Sequence, residues 1–234
     1  MDNLKQMIFI IDKKLPQQAK DKLAAYGEIL ELETSGITYD AISGHPDIFF
    51  CPTPDGLITA PQLPDKIISK LQLSGVKTIP GAARPGQKYP KSAIYNALVT
   101  DKYLIHNTKV TDESIMKTCN KLESIHVNQA YTRCNLLALH DMYITSDAGI
   151  YKTLLLRGFD VHHFSSEEVV LPSFPHGFLV GACGVWDDKL LICGNLKYFS
   201  EGERLKLVVE RAGYKLVELY DGPPVDGGGI ITAA

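Results

Sequence analysis

The sequence predicts an α/β fold: a closed, pseudo-symmetric propeller of five strand-strand-helix-strand units in which the two chain termini share one hairpin. Two observations predict it. An Asp followed by an apolar strand recurs at Asp55, Asp101, Asp141 and Asp188, spaced 46, 40 and 47 residues apart, which indicates an internal repeat. The N-terminal segment and the last ten residues together supply a fifth copy of the unit.

The recurring aspartates mark hairpin turns. Each one follows an apolar run, at 48–51, 94–99, 136–139 and 178–186, and precedes a second run. Two apolar runs joined by a tight turn with Asp or Gly are typical of a β-hairpin. Each unit therefore opens with an antiparallel pair of strands, and we interpret the turn aspartates as structural.

A helix with defined ends is predicted after each hairpin. Pro64 suits a first helical turn, Thr111 is the predicted N-cap of the third-unit helix, and Ser200 with Glu203 forms a predicted capping box. The apolar positions fall at helical spacing: Ile67, Ile68 and Leu71; Ile115, Cys119 and Leu122; Ile150, Leu154 and Leu155; Leu205, Val208, Val209 and Ala212. This periodicity predicts that one face of each helix packs on a sheet.

Glycines are predicted to end three of these helices. Gly75, Gly158 and Gly213 occupy the position at which a left-handed residue stops a helix. A third strand is predicted to follow each helix, at 76–79, 125–127, 161–164 and 216–219. The order within each unit is therefore strand, strand, helix, strand.

The N-terminus supplies a unit that lacks one strand. It contains a predicted strand at 8–11, a helix that opens at Leu15-Pro16, Gly27 as its stop, and a strand at 29–32. An open edge at the first strand would invite pairing with other chains. We therefore expect the run 229–232 to pair there and close the ring.

The chain is predicted to be a single domain, residues 1–234. Its units are approximately 7–33 plus 225–234, 44–81, 90–128, 131–165 and 177–221. A chain of 234 residues with 45% apolar composition can bury a full core.

Charge and cysteine usage argue against several classes of function. The net charge is −3 and no basic cluster occurs, which argues against nucleic-acid binding. The apolar run 7–11 is too short for a signal segment or a membrane span, so we expect a cytoplasmic protein with no membrane partner. The five cysteines form no C-x-x-C pair, and His162 and His163 point to opposite faces of a strand. We therefore expect neither a metal nor another cofactor.

Four segments carry a resemblance to a known superfamily. Tyr-Thr-Arg-Cys at 131–134, Ile-Thr-Ser-Asp-Ala-Gly-Ile at 144–150, Gly-Phe-Leu-Val-Gly-Ala-Cys-Gly at 177–184 and Val-Asp-Gly-Gly-Gly-Ile at 225–230 look like an uncharacterised bacterial family, a domain of unknown function, within the pentein superfamily. The resemblance spans residues 44–234. Penteins are five-unit α/β propellers that include guanidino-group-modifying enzymes: arginine and agmatine deiminases, dimethylarginine hydrolase and amidinotransferases.

The resemblance implies a small guanidino or amino-acid-like ligand in the central channel. In the catalytic penteins a glycine-rich segment leads into the last strand, and a Cys that follows it attacks the guanidinium carbon. In this chain Ile230 and Ile231 follow the glycines. A hydrolase or transferase acting on guanidino-type substrates would therefore need a different nucleophile.

Candidate site residues lie where the first strand of each hairpin begins, because these strands line the channel of such a ring. His45 and Asp47 stand at the first of these positions. Asp47 and Asp226 suit a cation, whereas Arg133 suits a carboxylate. The predicted ligand-binding residues are Asp47, Asn96, Tyr131, Arg133, Cys183 and Asp226, and the candidate catalytic residue is Cys134.

Several of these residues also have a purely structural interpretation. A buried Cys134 is an inert apolar side chain unless its thiol is activated. Under the same interpretation Arg133 pairs with an acid in the channel, and Asn96 satisfies backbone groups. Asp226 with its three glycines equally forms a turn or bulge that closes the ring.

Two functions stay open from the sequence. The first is an enzyme, or a relic of one, that binds or modifies a small molecule in the channel. The second is a non-catalytic binding or scaffold protein, similar to the ribosome anti-association factor that has a pentein ring and no active site. The first predicts a polar pocket with convergent charges, and the second predicts a filled channel. The sequence specifies neither the substrate nor the oligomeric state.

Overall fold

The computed structural model describes residues 7–234 and contains five three-stranded sheets. Residues 1–6 of the predicted domain lie outside the described residues. The sheets comprise β1 (Ile8–Asp12), β2 (Glu28–Leu32) and β15 (Ile231–Ala233); β3 (Phe50–Thr53), β4 (Gly56–Thr59) and β5 (Thr78–Pro80); β6 (Leu98–Val99), β7 (Tyr103–His106) and β8 (Glu123–His126); β9 (Leu136–Leu139), β10 (Met142–Thr145) and β11 (Asp160–His163); and β12 (Cys183–Trp186), β13 (Lys189–Ile192) and β14 (Lys215–Glu218).

All five sheets have the same topology. A middle strand pairs antiparallel with its hairpin partner and parallel with the strand that follows the helix; β10, for example, pairs Thr145 with Leu136 of β9 and with His163 of β11. A parallel pair requires a crossover, and the helix supplies it. The predicted ring of five strand-strand-helix-strand units is therefore confirmed.

The last strand completes the first sheet. β15 pairs antiparallel with β1, with Ile10 opposite Ile231 and Ile8 opposite Ala233. The backbone N–H of Gly229 donates to the Gly181 carbonyl at 2.7 Å, and that of Ile230 donates to the Cys183 carbonyl at 2.9 Å. The C-terminal segment thus joins the first unit to the fifth, as the open edge of the N-terminal unit predicted.

Six α-helices lie within the described residues: α1 (Gln17–Ala24), α2 (Pro46–Phe49), α3 (Asp65–Leu73), α4 (Glu113–Thr118), α5 (Ala148–Leu156) and α6 (Gly202–Arg211). The five longer helices are the crossovers, and their predicted apolar positions include the buried Leu71, Ile115 and Leu154. Gly75, Gly158 and Gly213 have φ values of 86°, 80° and 85°, so the predicted left-handed helix stops are confirmed. None of the helices within residues 7–234 has the length and apolarity needed to cross a membrane.

Two of the predicted helix starts are wrong in detail. The N-cap of α4 is Asp112 rather than Thr111, and its side chain accepts the Ser114 N–H at 2.9 Å. α6 begins at Gly202 without a side-chain cap, because Ser200 instead bonds the Glu168 carboxylate through its N–H at 2.8 Å and its hydroxyl at 2.7 Å. In both cases a tertiary contact decided between neighbouring polar residues.

The Gly27 prediction is also corrected. Gly27 is not in the left-handed conformation. A Cβ at this position would overlap the Met7 carbonyl, and the N–H of Glu28 donates to that same carbonyl at 2.8 Å. The glycine therefore serves a close approach between backbones rather than a helix stop.

Three of the first hairpin strands, β3, β6 and β12, begin later than their apolar runs. Residues 46–49 form α2, short 3-10 turns occupy Lys91–Ala93 and Val180–Ala182, and the strands begin only after them. β3 packs against β6, and β12 packs against β15. The helical turns therefore gather at one end of the central axis, where they place the polar residues that precede each strand.

Candidate functional site

A cavity of about 220 Å³ lies at this end of the axis. Its walls combine charged, aromatic and apolar side chains: Tyr39, Ile42, His45, Asp47, Tyr131, Cys134, Leu171, Phe174, His176, Phe178 and Asp226. The cavity is large enough for a small organic molecule, although it is smaller than a typical drug site. We call it the axial cavity.

Asp47 is the least satisfied polar residue of this cavity. It lies in the first turn of α2, directly after Pro46, and it is 1% exposed. Neither carboxylate oxygen has a hydrogen-bond partner within residues 7–234. Burial raises the pKa of Asp47 to about 6, assisted by the charge of Asp226 and opposed by His45 and Arg133. A buried carboxylate left unpaired in this way is costly to the fold.

Asn96 organises the backbone behind Asp47. Its side-chain amide donates to the Asp47 carbonyl at 3.4 Å, and its side-chain oxygen accepts the N–H of Cys134 at 3.3 Å. Its own carbonyl accepts the N–H of Arg133 at 2.9 Å. Asn96 therefore links the second, third and fourth units without lining the axial cavity.

Arg133 lies near Asp47 but does not line the cavity. Its Nε is buried without a hydrogen-bond partner in the described part of the chain. Burial lowers the pKa of Arg133, and the neighbouring Asp47, Cys51 and Cys134 act in the opposite direction. Arg133 thus supplies positive potential to Asp47.

Cys134 lines the cavity as a thiol. Its Sγ donates to the Asn96 side-chain oxygen at 3.5 Å and to the Tyr131 carbonyl at 3.7 Å. Burial raises the pKa of Cys134 well above its ordinary value, and the carboxylates of Asp47 and Asp226 raise it further. The thiol is therefore a neutral hydrogen-bond donor, and nothing in this arrangement activates it as a nucleophile.

Aromatic rings form the walls of the axial cavity. Tyr39 packs against Phe174 with ring centroids 5.5 Å apart, and Tyr131 packs against Phe178 at 6.2 Å. The two tyrosine hydroxyls are 3.1 Å apart, and Ser92 Oγ lies 2.6 Å from that of Tyr131. These hydrogen bonds fix the orientation of the tyrosine rings, which present their faces and edges to the cavity.

Asp226 and His45 form the boundary between the axial cavity and a second cavity. Asp226 accepts the N–H of Phe178 through Oδ2 and that of Gly228 through Oδ1, both at 2.9 Å. His45 lies between two carboxylates: its Nδ1 is 3.9 Å from Asp226 Oδ1, and its Nε2 is 3.9 Å from Asp12 Oδ2. The second cavity has a volume of about 250 Å³.

Glycines bring the backbone unusually close to these ionisable side chains. A Cβ at Gly44 would overlap the Asp12 carboxylate, and a Cβ at Gly181 would overlap that of Asp226. Gly228, with a φ of 71°, lies against His45 in the same way. The chain thus leaves room for three buried ionisable groups where any other residue would displace them.

The structure brings four of the seven predicted site residues to the axial cavity. These are Asp47, Tyr131, Cys134 and Asp226. Asn96 and Arg133 interact with Asp47 without lining the cavity. Cys183 lies in the fifth unit, where its Sγ donates to the Leu179 carbonyl at 3.4 Å. Burial raises the pKa of Cys183 to about 12, so it too is a neutral thiol.

Sequence reasoning did not select several residues of the two cavities. Tyr39 and Phe174 lie in segments rich in Gly, Pro and Ser, and Phe178 begins an apolar run. Asp12 ends β1, whose other residues have the pattern of a buried strand. The position of His45 beside Asp47 was the one available signal. Within residues 7–234, no group of three or more His, Cys, Asp or Glu side chains has the geometry of a metal site.

The fold is similar to that of solved guanidino-modifying proteins. DDAH from Pseudomonas aeruginosa, a cysteine-to-serine mutant complexed with citrulline, aligns with a TM-score of 0.54 and 12% identity over 88% of this chain and 81% of that chain. An amidinotransferase from Microseira wollei in the saxitoxin biosynthetic pathway aligns with a TM-score of 0.55 and 10% identity over 92% and 88%. A dimethylarginine dimethylaminohydrolase adduct with 4-chloro-2-hydroxymethylpyridine aligns with a TM-score of 0.55 and 12% identity over 91% of each chain.

The class of the protein follows from these similarities and from the five repeated sheets: it has the pentein α/β propeller fold. No curated protein matches the chain by sequence. Residues 10–231 match the model of the family described as "Family of unknown function (DUF6873)", and the chain belongs to that family.

Proposed function

We propose that this protein binds a small organic cation of guanidino or amino-acid-like type in the axial cavity. The observation that carries the proposal is the carboxylate of Asp47, which is buried at the cavity without any hydrogen-bond partner within residues 7–234. A ligand with a cationic group would supply the missing donors and offset the cost of that burial.

The surrounding side chains favour a planar or diffuse cation. Asp47 and Asp226 both line the cavity, so a guanidinium group can contact two carboxylates. The rings of Tyr39, Tyr131 and Phe174 supply faces on which a cation is stabilised, by about 0.5–2 kcal/mol for each favourable contact. A neutral or anionic group would leave Asp47 unpaired.

Binding is better supported than covalent chemistry. Cys134 is the cysteine that lines the axial cavity, and burial together with two carboxylates raises its pKa. Ile230 and Ile231 stand where the pentein resemblance implies a nucleophilic Cys. A cavity with convergent charges also favours ligand binding over a scaffold whose channel is filled.

The structural neighbours support the chemical class of the ligand. One of them is described as complexed with citrulline, and two are dimethylarginine dimethylaminohydrolase in name. Their identity to this chain is 10–12%, so the class of ligand is carried over here only as part of the proposal.

The proposal is tested by isothermal titration of the protein with arginine, agmatine and citrulline. Citrulline has nearly the shape of arginine but carries a neutral urea group, so it isolates the effect of the cation. We expect arginine or agmatine to bind at least tenfold more tightly than citrulline, because one buried ion pair is worth more than about 1.4 kcal/mol when desolvated.

The matched variants are Asp47→Asn and Asp55→Asn. Asp55 lies in an exposed turn of the same unit, so its substitution controls for a general change of charge. We expect Asp47→Asn to abolish binding and Asp55→Asn to leave it unchanged. Failure of every cationic probe to bind the unmodified protein, or retention of binding by Asp47→Asn, would overturn the proposal and favour the scaffold interpretation.

A further inference from the structure

The second cavity extends the site beyond the axial cavity. The two cavities share His45, Leu171 and Asp226 in their walls. The second cavity is lined in addition by Asp12, Lys14, Leu15, Asp40, Ala41, Pro172, Ser173, Val225 and Gly227. A ligand bound to Asp47 can therefore extend past Asp226 into the second cavity.

Asp12 occupies a position in the second cavity that is comparable to that of Asp47 in the first. It is 2% exposed, and its Oδ1 accepts the N–H of Lys14 at 2.7 Å. Its Oδ2 accepts no hydrogen bond in the described part of the chain, and it lies 3.9 Å from the imidazole Nε2 of His45. The second cavity thus also contains a carboxylate oxygen without a hydrogen-bond donor, on a side chain that is almost fully buried.

Carboxylates outnumber cations around this cavity. Asp12, Asp40 and Asp226 contribute three carboxylates, against Lys14 and the imidazole of His45. The Lys14 ammonium is already directed elsewhere, because it donates to the Asp40 carbonyl and, at 3.1 Å, to Ser43 Oγ. Lys14 makes no ion pair within residues 7–234 that would neutralise Asp12. The local charge therefore favours a cationic occupant.

We propose that the second cavity binds a second cationic group of the same ligand, with Asp12 as its principal partner. The ligand is then a dication: a guanidinium or related cation at Asp47 and an ammonium at Asp12, joined by a flexible chain. The aliphatic side chain of Leu171, which borders both cavities, suits an apolar spacer between the two charges. This inference rests on the proposed function of the axial cavity.

Three probes of equal length test the second site by isothermal titration. Agmatine, pentylguanidine and 5-guanidinopentanoate share the guanidinium and a four-carbon chain, and they end in an ammonium, a methyl and a carboxylate group, respectively. We expect agmatine to bind at least tenfold more tightly than pentylguanidine, and 5-guanidinopentanoate to bind most weakly. The order reports the charge preference of the second cavity in the unmodified protein.

The variant Asp12→Asn tests the assigned partner. An amide at this position retains an oxygen that can accept the Lys14 N–H, but it removes the negative charge. We expect the agmatine to pentylguanidine ratio to fall to about one, while pentylguanidine affinity stays within a factor of two. Asp21→Asn, on the exposed face of α1, is the control and should leave the ratio unchanged.

The outcomes separate this inference from the proposed function. Equal binding of the three probes, or tightest binding of 5-guanidinopentanoate, would overturn the second site while the axial site stands. An unchanged ratio in Asp12→Asn would overturn Asp12 as the partner. If none of the three probes binds, the axial site fails and the second site fails with it. Because the probe comparison uses the unmodified protein, it does not depend on whether Asp12→Asn folds.

Discussion

Asp112 and Asp47 are two buried aspartates with opposite surroundings. Asp112, at the start of α4, is 3% exposed and accepts hydrogen bonds from the N–H groups of Ala82, Ala83 and Ser114 and from the Tyr95 hydroxyl. Asp47 is 1% exposed and accepts none within residues 7–234. Protein donors therefore replace the lost water hydrogen bonds of Asp112, whereas those of Asp47 are not replaced.

The ionisation of the two groups reflects this difference. Burial alone would raise the pKa of Asp112, but the hydrogen bonds from Ser114, Ala82 and Ala83 outweigh burial and hold the pKa below its ordinary value. Burial raises the pKa of Asp47 to about 6, because the opposing effects of His45, Asn96 and Arg133 are smaller than that of burial. A folded protein retains an uncompensated buried carboxylate at a cost, and such groups are concentrated at functional sites.

The largest effect is expected for Asp112→Ala. The substitution removes the N-cap of α4 and leaves the N–H groups of Ala82, Ala83 and Ser114 without their acceptor. We expect the free energy of unfolding to fall by about 3–5 kcal/mol. Chemical denaturation at pH 7.5 measures this loss; a change below about 1 kcal/mol would contradict the structural role assigned to Asp112.

His106 predicts a loss of stability in acid. It is fully buried, with Nδ1 2.8 Å from Thr111 Oγ1 and Nε2 2.8 Å from the Ala130 carbonyl, and burial lowers its pKa from 6.5 to about 4. Between pH 6.5 and pH 4, His106 is therefore protonated in the unfolded chain but neutral in the folded chain. Stability should fall by about 3 kcal/mol as the pH drops through this window.

The matched measurement compares the unmodified protein with His106→Gln across that range. Glutamine loses part of the packing of the imidazole at every pH. This loss lowers the free energy of unfolding by a constant amount and does not report on the protonation of His106. The difference in unfolding free energy between the two proteins should widen as the pH rises from 4 to 6.5. A difference that is independent of pH would show that His106 does not stay neutral in the fold.

Asp47→Asn is expected to stabilise the protein without ligand. The native pKa of about 6 lies above the unfolded value of 3.8, so the folded chain binds the extra proton between these values. The charged form therefore costs stability as the pH rises through this window, by up to about 3 kcal/mol. We expect the stabilisation by Asp47→Asn to be small at pH 4 and largest above pH 7.

Thermal unfolding of Asp47→Asn and Asp55→Asn, each from pH 4 to pH 8, checks this sign. Stability that stays unchanged or falls in Asp47→Asn would mean that Asp47 is paired in the folded protein. That result would also remove the observation on which the axial cation site depends.

The smallest effect concerns the reactivity of Cys134. Because burial and the neighbouring carboxylates raise its pKa, native protein should react with iodoacetamide at pH 8 at least tenfold more slowly than a free thiol. Cys134→Ser should show the same slow reaction from the remaining buried cysteines. A rapidly alkylated thiol that disappears in Cys134→Ser would restore Cys134 as a nucleophile.

The comparison also shows what the sequence can and cannot reveal. Asp47 precedes an apolar run and is predicted as a site residue, whereas Asp12 follows an apolar run and is not. The structure places both at cavities. The local pattern predicts Thr111 as the cap of α4, whereas in the structure Asp112 takes this position and also accepts the N–H groups of Ala82 and Ala83. Local pattern identifies polar residues near a site but does not rank them.

The sequence by itself determined the ring. Apolar periodicity, turn aspartates and the stops at Gly75, Gly158 and Gly213 are local signals, because each depends on the conformation of a few adjacent residues. The pairing of β15 with β1 followed from an incomplete repeat.

Only the tertiary structure decided which polar groups meet and which stay unpaired. Asp12, His45 and Asp226 come from the start, the second unit and the end of the chain, and ring closure alone brings them together. Whether a buried carboxylate finds donors, as Asp112 does, or faces a cavity, as Asp47 does, depends on the positions of distant backbone groups that no local pattern encodes.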